Sequence, residues 1–290
     1  MSKVKNLFSQ SNHSKERKAA THRSNYLLNE NTPFEVMEAF RSLKASLSVS
    51  VPKKPNSGTV IVATSPYPED GKTTVSVNLA LMFALSDAKV VILDADIRKG
   101  RIGKFFKQKS EPGLSNYLSG QVSLERMTYR SKINPNLSFI TCGTHSPRPY
   151  ELLESQEMAV LIEKLREQYD YVIIDTPPIL LVSDALAFSH LTDGTMLVCR
   201  HQESSLNDIE RAIKTLSFAK TNILGVVVND FKGEHNKKYG YDKYHYYQAY
   251  SYGSPRPYVL NTSAKRATRA SAQKLSKANE ENKENEEQKN

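Results

Sequence analysis

Thr59-Val-Ile-Val-Ala-Thr-Ser-Pro-Tyr-Pro-Glu-Asp-Gly-Lys-Thr-Thr74 begins as a β-branched apolar run, breaks at two prolines and re-emerges as Gly-Lys-Thr. The run from Thr59 to Ala63 has the length of a buried parallel strand. From Lys72 onward, Val75, Leu79, Met82 and Phe83 recur on one helical face, so the loop lies between strand and helix. A loop so placed sets phosphate at a helix N-terminus, where unpaired backbone N–H groups and the positive dipole end bind oxyanions. Asp70, Gly71, Lys72, Thr73 and Thr74 are therefore candidate nucleotide-binding residues. Lys72 would add charge on the β/γ-phosphates, and the Thr73 hydroxyl is placed to coordinate Mg²⁺. The Walker pattern is not complete. Pro66 stands where its first glycine belongs, and Glu69 where glycine usually lets backbone approach phosphate. The alternative is a plain strand-to-helix turn.

Beyond the first helix, Lys89-Val-Val-Ile-Leu-Asp-Ala-Asp-Ile-Arg98 repeats the grammar of a buried strand ending in carboxylates. Asp94 and Asp96, two apart, project to the same side at the C-terminal end, where ligands sit in open α/β sheets. One could receive a proton from an attacking hydroxyl while the other holds metal-bound water. Asp170-Tyr-Val-Ile-Ile-Asp-Thr-Pro-Pro178 is a third such strand, whose Asp175 can bind Mg²⁺ through water opposite Thr73. Gly194–Cys199 and Asn222–Asn229 read as two more strands flanking a helix over 206–219, with Asn229 ending on the ligand side as a contact for adenine or as a turn former. Further elements are a short helix in 112–120, a strand over 136–142, and a helix over 156–169 with Met158, Leu161, Ile162 and Leu165 inward. The β/α alternation predicts an α/β fold: a mostly parallel, doubly wound sheet with helices on both faces.

At Thr32-Pro33-Phe34-Glu35 a capping box predicts a helix over 33–48 with Val36, Phe40, Leu43 and Leu47 as its apolar face. Glu38, Arg41 and Lys44, three apart, form a charged stripe that reads either as local ion pairs or as a subunit contact. The 290 residues carry a formal charge of +9. About half of that excess lies in the first 25 residues, so residues 1–30 read as a basic flexible arm, either a solvated leader or an anchor to an anionic surface; nucleic acid is not an expected partner. The two cysteines, Cys142 and Cys199, are far apart and read as core residues of a reducing compartment. No run is long and apolar enough to span a membrane. Residues 31–232 form the expected P-loop domain, and 233–290 a tail. Eight of the 15 tyrosines lie in that tail: Tyr239, Tyr241, Tyr244, Tyr246, Tyr247, Tyr250, Tyr252 and Tyr258. With almost nothing aliphatic to bury, that segment reads as accessible, its tyrosines as phospho-acceptors or stacking platforms.

In this order, the loop at 65–74, Ile92-Leu-Asp-Ala-Asp-Ile-Arg98, Val172-Ile-Ile-Asp-Thr-Pro-Pro178 and the tyrosine cluster resemble the bacterial protein-tyrosine kinases of capsule and exopolysaccharide synthesis. These look like relatives of MinD/ParA-type ATPases in which Walker A, A′ and B occur together. The resemblance implies ATP and Mg²⁺ as cofactors, with Lys72, Asp94 and Asp96 catalytic, and Thr73, Asp94, Asp96 and Asp175 around the metal. Glu38-Ala-Phe-Arg-Ser-Leu-Lys44 matches the family's oligomerisation helix, normally Glu-x2-Arg-x2-Arg, with Lys44 replacing the last arginine. Also implied is a separate cytosolic chain of Gram-positive type, recruited to the inner membrane face by the tail of a transmembrane polysaccharide co-polymerase that activates it. Its subunits would form a ring and phosphorylate one another's tyrosine tails, and a cognate phosphotyrosine phosphatase would reverse this. Two other readings stand beside it. A positioning ATPase of the ParA/MinD kind would have lysine where Tyr67 stands, and a non-catalytic partner would suit Pro66 and Glu69.

Overall fold

Strands that are apolar at every position must be covered on both faces, and this chain builds its sheet from such runs. The structure, a computed structural model, describes residues 26–52, 54 and 57–231. Most of the basic arm and the tyrosine cluster with its tail lie outside the described residues. The strands are β1 (Thr59–Thr64), β2 (Val90–Asp94), β3 (Thr128–Arg130), β4 (Leu137–Ile140), β5 (Tyr171–Asp175), β6 (Gly194–Arg200) and β7 (Ile223–Asn229). They form one seven-stranded sheet in the order β3-β4-β2-β5-β1-β6-β7, parallel throughout except for β3, which pairs antiparallel with β4. Four long helices accompany them: α1 (Phe34–Ser50), α2 (Lys72–Ala84), α3 (Gln156–Gln168) and α4 (Leu206–Phe218).

The alternation of side chains along β1 divides the core. Ile61 and Ala63 face α2 and, beyond it, α1, whereas Val60 and Val62 face Met158, Leu161, Ile162 and Leu165 of α3. A smaller cluster joins Leu197 of β6 to Ala212 and Leu216 of α4. The register Ala63↔Asp175 and Asp94↔Asp175 aligns the C-terminal ends of β1, β5 and β2, so the phosphate loop and two carboxylates emerge side by side. At the opposite end, Arg166 Nη1 donates to Asp193 Oδ2 at 2.6 Å and to the Gly58 carbonyl at 2.9 Å, and Val60 N donates to the same carboxylate oxygen. Burial pushes the Asp193 carboxyl up, but these donors and Lys54 outweigh it and hold it below its ordinary value. Cys142 and Cys199 are buried thiols. Among the described residues no helix is long and apolar enough to cross a membrane.

Several expectations need correction. The capping box at Thr32 and Glu35 does not form: Thr32 Oγ1 accepts from Asn29 N at 2.8 Å, and α1 starts at Phe34 without a side-chain cap. Val36 points outward, 41% exposed, and Met37 packs inward with Phe40, Leu43 and Leu47. Helix α2 has no single apolar face; from Lys72 to Ala84 every residue but Thr74 is buried, because α1 covers the side the sheet does not. The sheet is not covered throughout either. Val226 and Val228 of edge strand β7 are 41% and 49% exposed. Strand β3 and a short helix at Pro149–Leu153 were not expected; both are too short to show periodicity.

Candidate active site

The loop leaves β1 at Ser65 and enters α2 at Lys72. Gly71 sits at φ 89°, a left-handed backbone, and a Cβ there would lie 1.9 Å from Asn229 Nδ2, so both conformation and space demand glycine. Glu69 also adopts φ 68° but has a Cβ, a conformation that costs about 1–2 kcal/mol. Its carboxylate pairs with Arg101 at 2.7 Å, which ties the loop tip to the segment after β2. Asp70 turns inward: Oδ2 accepts from Tyr67 N and Oδ1 from Ser204 Oγ, both at 2.9 Å. Burial raises its pKa. Its side chain therefore braces the loop, and only its backbone is left to face a phosphate. Asn229, read as a contact for adenine or as a turn former, donates its amide to the Asp70 carbonyl at 3.0 Å. Sequence reasoning missed Ser204 altogether; it lies 134 residues from Asp70, and no local pattern announces such a contact.

Around the head of α2, the Thr73 hydroxyl donates to Asp175 Oδ2 at 2.7 Å and Lys72 Nζ approaches the same oxygen at 3.3 Å. Ser76 Oγ reaches the other oxygen at 3.3 Å. Thr74 is half-buried on the same turn. Asp94 Oδ2 accepts from Ile102 N at 2.9 Å, and Asp96 Oδ1 from Lys99 N at 2.9 Å. Asp94 Oδ1 is buried with no hydrogen-bond partner, the single such side-chain atom among the described residues. Burial, then the charges of Asp175 and Asp96, push the Asp94 carboxyl up to about 8 against the pull of Ile102 N and Lys72. Asp175 is also raised, chiefly by burial, with Lys72 and Thr73 opposing.

An orphaned carboxylate oxygen beside Asp175 and Thr73 is the environment a hard cation relieves, so these residues fit Mg²⁺. The expected four-residue metal set does not assemble by itself. Among the described residues, no three acidic, histidine or cysteine side chains converge on one metal position. Such a cation would take its remaining ligands from phosphate oxygens and water, which is the habit of Mg²⁺.

The buried carboxylates have a consequence for stability. Because the folded chain holds the Asp94 proton up to about pH 8 and the unfolded chain releases it near 3.8, the folded state carries the extra proton throughout that window. Raising the pH through it favours unfolding, and Asp175 and Asp70, shifted in the same direction, add to the slope. The metal- and nucleotide-free chain should lose about 5 °C or more in Tm between about pH 5 and 8, read by calorimetry. A flat profile would mean that Asp94 is not buried as described.

The comparisons with known proteins agree with this geometry. A family model described as an AAA domain matches residues 69–226. The tyrosine-protein kinase YwqD of Bacillus subtilis is 33% identical over 205 residues, covering 70% of this chain and 85% of that protein. The solved kinase domain of the Escherichia coli tyrosine kinase ETK superposes with a TM-score of 0.62 at 32% identity, over 71% of this chain and 84% of that one. The cell-division ATPase MinD of Pyrococcus furiosus, at TM-score 0.52 and 24% identity over 62% and 75% of the two chains, shares the fold. Against longer relatives the coverage is smaller: the match to tyrosine-protein kinase etk of E. coli K12, 35% identical, takes in 82% of this chain but 32% of that protein. With the phosphate loop, the paired carboxylates and the parallel sheet in place, the chain belongs to the bacterial protein-tyrosine kinases.

Proposed function

We propose that the chain transfers the γ-phosphoryl group of ATP to tyrosines of its own C-terminal cluster, carried by another copy, and thereby regulates capsular or exopolysaccharide synthesis. The observation that carries this reading is the orphaned, proton-seeking Asp94 carboxylate at the mouth of a phosphate loop. Asp94 stands at the C-terminal end of β2 beside Asp175 with one oxygen that has no partner among the described residues, which leaves that oxygen open to the phenolic proton. The tyrosine oxygen attacks the γ-phosphorus, the bond to the leaving ADP oxygen breaks, and the phenolic proton passes to Asp94. Lys72 leaves Asp175 for the transferring phosphate, where its charge stabilises the transition state. Asp96 fixes the loop that follows β2, and Asp175 with Thr73 would hold Mg²⁺, which supplies charge neutralisation on the phosphates.

Burial argues against most tyrosines of the domain as acceptors, although Tyr26 is 52% exposed. Tyr171 is buried and stacked on Phe83 at 3.8 Å, and Tyr117, Tyr150 and Tyr169 are half-buried. The terminal cluster, Tyr239 to Tyr258, follows the last strand in sequence. Phosphopeptide mapping after incubation with Mg·ATP should place modification there, and changing all eight tyrosines to phenylalanine should abolish it while leaving ATP binding intact. Dominant sites at Tyr117, Tyr150 or Tyr171 would overturn the tail as acceptor. ATP hydrolysis with no phosphotyrosine at all would leave a MinD-like ATPase.

The ring reading rests on α1, where Glu38 and Arg41 pair across one turn, each about two-fifths exposed, and Lys44 Nζ donates to Ser86 Oγ at 2.6 Å. Local pairs of this kind contribute little by themselves, so exchanging this one for a pair with a neighbour would cost little. Replacing Glu38 and Arg41 with alanine should lower oligomer mass by light scattering and tail phosphorylation together. Mass that falls while phosphorylation persists at low concentration would exclude transfer through this helix. The same reading includes an activating transmembrane co-polymerase, recruitment to the inner membrane face and reversal by a phosphatase.

A further inference from the structure

Charge is sorted by place within the domain. Residues 98–132 carry nine lysines and arginines against two glutamates, whereas the remainder of 26–231 carries 13 basic against 21 acidic residues. The basic stretch runs from the end of β2 to β3, the antiparallel strand at one edge of the sheet. Packing gathers it there. Phe106 stacks on Phe139 of β4 at 4.2 Å, Tyr129 of β3 stacks on the same ring at 5.4 Å, and the Tyr129 hydroxyl donates to the Pro112 carbonyl at 2.8 Å. The loop over 106–112 is thereby clamped to the β3 edge, so Lys107 and Lys109 share that edge with Arg130 and Lys132. Lys104 adjoins them, on a turn closed by Gln108 N donating to the Gly103 carbonyl at 2.8 Å. Arg98 and Arg101 are paired, with Asp184 and Glu69. The other seven cations of the stretch are exposed and have no ion-pair partner among the described residues.

We infer that this edge docks on an anionic lipid bilayer, so that the domain itself contributes to its placement at a membrane. The inference deepens the recruitment included in the proposed function and does not depend on phosphoryl transfer. The composition of the surface selects the partner. A protein partner is held by large apolar or aromatic anchors at the centre of the patch, and none of the large hydrophobic side chains exposed among the described residues lies in 98–132. Single-stranded nucleic acid asks for aromatic faces, and Phe105, Phe106, Tyr117 and Tyr129 are buried or half-buried. A bilayer with anionic headgroups asks for charge alone. Each lysine or arginine near such a surface is worth about fivefold in partition. The remainder of the domain, acidic on balance, is repelled by the same surface, so docking takes one orientation, with the β3 edge toward the lipid. The first 25 residues bring six further cations against Glu16, and their contribution is separable by substitution.

The test uses the full chain and its sedimentation with large unilamellar vesicles, of phosphatidylcholine alone or with about one third phosphatidylglycerol, at about 0.1 M salt. The chain should pellet with the anionic vesicles and stay in solution with the neutral ones. The triple variant Lys107→Gln, Lys109→Gln, Lys132→Gln should lower the partition by about tenfold or more, while its melting temperature and its affinity for a fluorescent ATP analogue stay at wild-type values. A second triple variant, Arg211→Gln, Lys214→Gln, Lys220→Gln, changes the net charge equally on α4 and the turn after it, and should change the partition by less than about twofold. Equal losses in the two triple variants would mean that net charge and not this edge binds the vesicles. Binding that survives the first variant and is lost when Lys3, Lys5, Lys15 and Lys18 become glutamine would assign it to the N-terminal arm. Either result overturns the inference, as does a duplex oligonucleotide that binds the edge more tightly than the vesicles at the same salt, which would give the surface to nucleic acid. A chain that binds anionic vesicles but forms no phosphotyrosine would sink the kinase reading and leave the edge standing. One that phosphorylates its tail and ignores the vesicles would sink the edge alone.

Discussion

Lys72→Met is expected to reduce phosphotyrosine formation by about 10³-fold or more in a chain that still folds. Methionine fills the volume of the lysine stem but carries no charge to the transferring phosphoryl group, so the loss falls on the transition state. The fold should survive for a reason visible in the site. Asp175, which loses its cationic partner, keeps Thr73 and Ser76 as donors, and burial already raises its pKa, so it can neutralise by taking up a proton. Near-wild-type circular dichroism with no product on an anti-phosphotyrosine blot is the expected pair of results. Product at wild-type rate from a folded Lys72→Met chain would remove the kinase assignment.

Asp94→Asn should separate activity from stability. Turnover should fall by at least about 10²-fold, the range of general base catalysis, since the amide takes no proton from tyrosine. At neutral pH the metal-free variant should be more stable than wild type, because folding of the wild type must take up a proton at Asp94 that the unfolded chain has released, and the amide needs none. The Tm deficit that grows with pH in the wild type should shrink in the variant. An unchanged rate would move the proton acceptor to Asp96, and a variant less stable at about pH 8 would mean that Asp94 is held by partners the structure does not give it.

What could be read without coordinates was what neighbouring residues determine. The strand-loop-helix at 59–84 and the carboxylates at the ends of 90–94 and 171–175 follow from local runs and from a spacing of a few residues. Helix α1 was legible as a helix but not in its start or its inward face, because Thr32 found a partner at Asn29 and the contact with α2 chose Met37 over Val36. Contacts across the fold were out of reach. That Asn229 and Ser204 both serve Asp70 depends on β7 and the turn after β6 arriving beside the loop, 159 and 134 residues away.

The two ends of the sheet are built to different ends. At one, Arg166 and Asp193 are buried together with their donors and acceptors matched. At the other, Asp94 is left with an oxygen that nothing among the described residues satisfies. A ligand that supplies the missing partner binds the folded chain and not the unfolded one, and at about a hundred times its dissociation constant it adds about 2.7 kcal/mol to stability. Occupancy of the site is thereby written into the lifetime of the molecule: copies that have lost their nucleotide open more often, and proteolytic turnover falls first on those that are out of work.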